Sequence, residues 1–258
     1  MVVLTVLGSG SCVPSFRRSS PAYHVSWSGG SLFVDLGSGA LRRAVEAGLD
    51  WRTVDALLVT HFHMDHIADV PALLFAFKNT PGLHRSRELV LCGPVGIVDM
   101  ISDLAHIFGK WVKDPGVPLQ LVECDGLDIG IRGCRVSARR VKHSRGALGY
   151  RLEVEGITLV FSGDTGVCDE LVWLARDADL AVFECAATDR PVSTHLTPEE
   201  AGQVASEAHV RRLVLSHFYP SAEAPDVLAR CRETYKGPLM LAEDLQRFAF
   251  SGVESDSE

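Results

Sequence analysis

Ala56-Leu57-Leu58-Val59-Thr60-His61-Phe62-His63-Met64-Asp65-His66 is the stretch on which the fold turns. A short apolar run reads as a β-strand, and three imidazoles and one carboxylate follow it. In open α/β architectures, ligands and metals are held at the C-terminal ends of strands. Imidazole and carboxylate together suit Zn2+, Mn2+ or Fe. Alternate side chains of an extended segment point the same way, so His61 and His63 share one side. Asp65 and His66 lie past a bend into a helix. One ion then takes His61 and His63, and a second takes Asp65 and His66. A histidine-rich loop without metal is the plainer alternative, and the preceding strand and the adjacent acid weigh against it.

Upstream, the pattern predicts strands at Val2–Leu7, Ala22–Trp27 and Ser31–Asp35, then a helix over Ala40–Leu49 closed near Gly48. Downstream it predicts a helix over Asp65–Phe77, a strand at Leu89–Cys92 and a helix over Val95–Val112. A β-rich part follows at Leu119–Glu123, Ile129–Val141, Leu148–Val154 and Ile157–Phe161, with Glu155-Gly156 as a tight turn. Helices at Asp169–Ala175, Pro198–Ala208 and Pro225–Tyr235 then alternate with strands at Leu180–Phe183, Arg212–Leu215 and Leu239–Ala242. Two β-rich halves, each finished by helix–strand alternation, predict an α/β fold of two packed sheets with helices outside. One domain over residues 1–250 is expected, with 251–258 an acidic, disordered tail.

The 258 residues allow a substantial core, and 47% hydrophobic with 22% charged residues is an ordinary globular balance. A net charge of −8 argues against a broad basic face for long nucleic acid, though not against a local basic strip. The seven cysteines are scattered without a C-x-x-C pair, which reads as reduced thiols in a cytoplasmic protein. No window approaches the apolar length of a membrane span.

H-x-H-x-D-H after a strand resembles the signature of the metallo-β-lactamase superfamily, and further matches follow in order. The resemblance implies a four-layer αβ/βα sandwich of mixed sheets holding two divalent ions, Zn2+ with Mn2+ or Fe as alternatives. Asp35, in Phe33-Val34-Asp35-Leu36-Gly37, matches the acid that supports the metal loop from behind. His143 matches the third histidine of the first site, Asp164 the bridging carboxylate and His217 the last histidine of the second site. The implied ligands are His61, His63, Asp65, His66, His143, Asp164 and His217.

Two stretches are similar to the ribonuclease Z branch. Leu7-Gly8-Ser9-Gly10-Ser11-Cys12-Val13-Pro14, followed by Arg17 and Arg18, resembles its opening. Ser11, Arg17, Arg18 and Arg145 are weak substrate-binding candidates, and a plain strand-to-loop turn explains the glycines equally well. Thr194-His195-Leu196-Thr197-Pro198-Glu199-Glu200-Ala201 resembles the segment carrying an extra active-site histidine, and Glu184 matches its acidic partner. A His–Glu pair makes a proton donor; Thr197 and Glu200 also read as an ordinary capping box. Asp65, His195 and Glu184 are the catalytic candidates.

The long tRNA-gripping arm of that branch has no room here, because the hairpin Leu148–Phe161 fills the interval between His143 and Asp164. The expected activity is hydrolysis of a small or short phosphodiester, a cyclic nucleotide or oligonucleotide, by a metal-bridging hydroxide. The alternatives are a true tRNA 3′-processing endoribonuclease, an arylsulfatase- or lactonase-like hydrolase, and a non-catalytic metal-binding scaffold. Arg139, Arg140 and Lys142 form a basic stretch that either meets phosphates or lies on a solvated strand. His24, His84, His106 and His209 read as core or surface imidazoles. Phe75, Phe77, Phe108 and Trp111 read as core or as contacts of a homodimer.

Overall fold

Strand alternation sorts the apolar side chains into layers. The computed structural model describes residues 1–187, 191–220 and 226–251, among which lie fourteen strands and seven α-helices. The first sheet contains β1 (Val2–Gly8), β2 (Ala22–Trp27), β3 (Gly30–Leu36), β4 (Ala56–Leu58), β5 (Leu89–Gly93) and β6 (Leu119–Glu123). The second contains β7 (Asp128–Ile131), β8 (Cys134–Arg140), β9 (Leu148–Val154), β10 (Ile157–Phe161), β11 (Leu180–Glu184), β12 (Leu213–Ser216) and β13 (Leu239–Leu241). A last strand, β14 (Arg247–Phe250), returns to the first sheet and pairs antiparallel with β1. The strand orders are β14-β1-β2-β3-β4-β5-β6 and β13-β12-β11-β10-β9-β8-β7. Both sheets are mixed: β3 to β6 and β10 to β13 run parallel, the rest antiparallel.

Leu32, Val34 and Leu58 from one sheet meet Tyr150, Leu152 and Phe161 from the other in the core between the sheets. Phe33, Leu57 and Leu91 face outward from the first sheet, under α1 (Ala40–Glu46), α3 (Val70–Asn79) and α4 (Ile97–Phe108). Ala181, Phe183 and Leu215 do the same on the second sheet, under α5 (Asp169–Ala175), α6 (Pro198–Glu207) and α7 (Asp226–Thr234). The result is the expected αβ/βα sandwich. Central strands buried on both faces carry continuous apolar runs, as parallel strands between helix layers must.

Several expectations are corrected. The predicted strand Ile129–Val141 is a hairpin, β7 and β8, because Arg132 and Gly133 both turn at positive φ. The predicted helix Asp65–Phe77 is two helices, α2 (Met64–Ile67) and α3, since Pro71 lacks the N–H that would continue the first. The helix predicted over Val95–Val112 stops at Gly109 and gives way to a single 3-10 turn. Cys92 and Cys124, expected reduced, form a disulfide with Cα atoms 6.5 Å apart. Parallel pairing of β5 and β6 brings them together across 32 residues, which no local cysteine motif signals. Among the described residues Cys12, Cys134, Cys168, Cys185 and Cys231 are free.

Phe77 is buried against Trp51 inside the protein and takes no part in a dimer surface, whereas Phe75 is exposed and packs on Trp111. The tail from 252 onward and Pro225, where a helix was expected to begin, lie outside the described residues. No helix among the described residues is long and apolar enough to cross a membrane.

Candidate metal centre

The candidate ligands sit in the loops after β4, β8, β10 and β12 and in α2, which follows the first of these loops. Asp35 lies near the end of β3 with φ 55°, a left-handed conformation that asparagine and aspartate tolerate better than most residues. Its carboxylate organises the loop after β4. Oδ1 accepts the Thr60 backbone N–H at 2.8 Å, and Oδ2 accepts the Thr60 hydroxyl at 2.8 Å and His66 Nδ1 at 2.7 Å. The Thr60 hydroxyl, having donated to Asp35, accepts from His61 Nδ1 at 3.0 Å. Both His61 and His66 thus carry their proton on Nδ1 and turn the Nε2 lone pair inward. His143 Nδ1 donates to the Thr194 carbonyl at 3.1 Å, with the same result. Gly37 completes the support by close approach: a Cβ there would lie 2.0 Å from the Asp65 carbonyl oxygen.

The donor atoms converge as two groups, His61, His63, His143 and Asp164, and Asp65, His66 and His217, each group lying within 4.8 Å. Asp164 divides its oxygens between them. Oδ1 is 3.3 Å from both His66 Nε2 and His217 Nε2, while Oδ2 is 3.8 Å from His61 Nε2 and 3.7 Å from His143 Nε2. Asp65 Oδ2 lies 3.5 Å from His217 Nε2.

Divalent cations fit this set. His66 Nε2 faces His217 Nε2 at 3.4 Å, and His143 Nε2 faces His63 Nδ1 at 3.2 Å. With Nδ1 of His66 and His143 already donating, a lone pair of each is aimed at another imidazole nitrogen. His61 Nε2 and Asp164 Oδ1 are buried without a hydrogen-bond partner, a cost that buried polar atoms avoid unless a ligand satisfies them.

The electrostatics divide the histidines: burial opposes charge on His66 and His217, but the Asp164 carboxylate outweighs it and raises both above their ordinary value. Burial pushes the His61 and His143 imidazoles down toward the neutral, ligating form. Burial works against charge on Asp164, but His217 and His66 prevail and hold it well below the usual carboxylate range. His217 takes φ 62°, so the centre is built on two strained residues, at about 1–3 kcal/mol each.

The family whose description is "Beta-lactamase superfamily domain" matches residues 32–218, most of the chain. The chain belongs to the metallo-β-lactamase superfamily. An uncharacterized protein of Mycobacterium leprae is 32% identical, covering 92% of this chain and 85% of that one. A ribonuclease Z of Myxococcus xanthus is 30% identical, covering 93% of this chain and 95% of its own. That alignment runs over 300 positions, more than this chain's 258 residues, so the relative carries stretches without a counterpart here. Among solved structures, the metallo-β-lactamase fold protein YhfI from Bacillus subtilis superposes with a TM-score of 0.83 at 21% identity, covering 96% of this chain and all of that one.

Beside the candidate ligands, His195 Nδ1 lies 2.8 Å from Glu184 Oε1, and its ring is 4.8 Å from the His143 ring and 6.3 Å from the His217 ring. Glu184 is buried at the end of β11 and accepts the Thr165 N–H at 3.0 Å and the Ala186 N–H at 2.7 Å. Burial opposes a charge on His195, but the Glu184 carboxylate outweighs it and raises the imidazole above its ordinary value. The capping box of Thr197 and Glu200 is present as well, so the segment caps α6 and presents His195 in the same turn.

The weaker candidates separate. Ser11 is buried, and its hydroxyl accepts the Val13 N–H. Arg18 is engaged inside the protein, with Nη1 on Ser9 Oγ and the Ala242 carbonyl and its guanidinium over Phe218. Arg17 and Arg145 are exposed. Arg139 pairs with Asp128 and lies over Trp173, and Arg140 pairs with Asp125, so both serve the strand surface. Thr60 links Asp35 to His61 through its hydroxyl, a role whose sequence sign is only a hydroxyl one residue before the first histidine. Asp244 was missed altogether. It accepts Ser9 N–H, Ser9 Oγ and Ser19 N–H at 2.7 to 3.0 Å and pins both ends of the 9–19 loop, with no local sequence sign.

Proposed function

We propose that this chain is a metal-dependent phosphodiesterase of ribonuclease Z-like type, acting on a small or short phosphodiester such as a cyclic nucleotide or oligonucleotide. The His195–Glu184 pair carries this reading. An ester with a poor alkoxide leaving group needs a proton donor, and this one stands beside both ligand groups. Two divalent ions, for which Zn2+ suits the histidine-rich set, supply Lewis acidity and an activated water when bound. Asp164 and Asp65 are the carboxylates that share the ligand shell with the histidines. Glu184 fixes the proton of His195 on Nδ1, so the proton on Nε2 is the one delivered to the departing oxygen.

The small-substrate part of the reading rests on the interval between His143 and Asp164. Apart from short connections it holds only the hairpin of β9 and β10, closed by Glu155 and Gly156, and nothing that extends over a tRNA. A true tRNA 3′-processing activity is the competing reading, favoured by the ribonuclease Z relatives.

The test is metal analysis joined to assays on bis-p-nitrophenyl phosphate, cyclic nucleotides, a lactone and precursor tRNA. His195→Ala is expected to lose about 10²–10⁴-fold in phosphodiester turnover while metal content stays at two per chain. Efficient cutting of precursor tRNA at its 3′ side would overturn the small-substrate reading. Equal loss on lactone and phosphodiester would overturn the leaving-group role.

A further inference from the structure

The chain leaves β12 at Ser216, and one residue past His217 it passes against the glycine-rich loop near the N-terminus. The Phe218 N–H donates to the Ser9 carbonyl at 3.0 Å, and Phe218 forms a short parallel bridge with Gly10. Phe218 is buried beneath the Arg18 guanidinium, so the next side chain, Tyr219, turns toward the surface and is half-buried. Its ring centroid stands 6.3 Å from that of His217, nearly edge-on, and its Oη is 3.7 Å from Cys12 Sγ. His195 stacks on His217 at the same distance with a different tilt. The 9–19 loop that carries Cys12 is held at both ends by Asp244.

A thiol is a weak hydrogen-bond partner, whereas an anionic phosphoryl oxygen is a strong acceptor. The Tyr219 hydroxyl therefore has a weak partner to exchange for a strong one. We propose that Tyr219 is a substrate-binding residue: its phenol, kept at the rim by Cys12, donates a hydrogen bond to a non-bridging phosphoryl oxygen on the Asp65–His66–His217 side. This rests on the phosphodiesterase reading and adds to it a second protein donor that, like the proton-donating histidine, stands beside His217. Nothing in the H-x-H-x-D-H signature supplies such a donor.

Tyr219→Phe removes one oxygen and keeps the ring. In metal-loaded protein it is expected to weaken the binding of inorganic phosphate, measured by titration calorimetry, by about ten-fold. KM for bis-p-nitrophenyl phosphate rises by a similar factor, with metal content unchanged. Cys12→Ser, which keeps a hydrogen-bonding group, leaves phosphate binding within about twofold of wild type, and Cys12→Ala weakens it by about threefold, less than Tyr219→Phe. Unaltered phosphate binding in Tyr219→Phe overturns the proposal, as does loss of a metal ion in that variant, which would make the ring a support for His217. Wild-type protein that binds phosphate but cleaves no phosphodiester overturns the proposed function alone, and the phosphate titration then still decides the role of Tyr219.

Discussion

The two ends of the sandwich are built from the same strands under opposite rules. At one end lie three turns, Ser28-Gly29 between β2 and β3, Arg132-Gly133 between β7 and β8, and Glu155-Gly156 between β9 and β10. Positive φ occurs there too, at Arg132, Gly133, Glu155 and Gly156, where it matches the twist of two-residue hairpins. Their polar groups find protein partners: Glu155 accepts the N-terminal ammonium at 2.8 Å and the Ser28 N–H at 2.9 Å, and Trp27 donates to the Arg132 carbonyl. At the other end positive φ falls on Asp35 and His217, and buried atoms of His61 and Asp164 lack protein partners. The turn end pairs its polar groups within the protein, whereas the site end leaves imidazole and carboxylate atoms open to an ion.

The largest effect expected belongs to neither end and tests whether the core sets the stability. His24 is buried on β2 beside Phe33, with Thr5 and Arg247 across the strands, and burial lowers its pKa to about 4. The unfolded chain takes up this proton below its ordinary value of 6.5, and the folded one does not until about 4. Stability therefore falls as pH drops through that window, by about 3 kcal/mol for this group. Denaturant titration of metal-stripped protein at pH 7 and pH 4.5 is expected to show a smaller drop in His24→Gln than in wild type. Equal drops would place the acid sensitivity at the ends instead.

Next comes the site end. Asp35→Asn keeps a side chain that tolerates the left-handed backbone and removes the charge that His66 and Thr60 lean on. A 10–100-fold loss of metal affinity is expected in a chelator competition, by the usual weight of such supporting carboxylates, roughly. Unchanged affinity would show that the strained residue is scaffolding and not part of the metal's support. The smallest effect lies at the turn end. At Gly156 an added Cβ meets nothing within 4 Å, so Gly156→Ala pays only for its left-handed backbone, about 1 kcal/mol. Thermal unfolding registers that loss while metal content stays the same; a coupled loss of metal would mean the two ends are not independent.

How much of this was legible depended on distance along the chain. His61, His63, Asp65 and His66 could be picked out as candidate ligands, and even divided between two groups, because all four lie in the loop after β4 and the first turn of α2. The apolar run Leu32-Phe33-Val34 marked a strand, and the structure buries it on both faces. The break at Pro71 and the turn at Arg132-Gly133 were local too, but the apolar pattern ran across both and hid them. The pairing of Cys92 with Cys124 was hidden for another reason. It depends on β5 and β6 lying side by side, and two isolated cysteines give no sign of that.

The amino-acid sequence by itself determined the family, the order of the candidate ligands and the alternation that makes two sheets, because hydrophobic period and histidine-rich motifs are local chemistry. Only the tertiary structure decided which oxygen of Asp164 faces which histidines and that Asp35 sets the tautomers of His61 and His66. It also decided that Cys12 and Tyr219 meet beside the centre and that Phe77 is covered. Those facts depend on angles and distances between residues dozens to hundreds of positions apart, and they exist only once the two sheets have closed on each other.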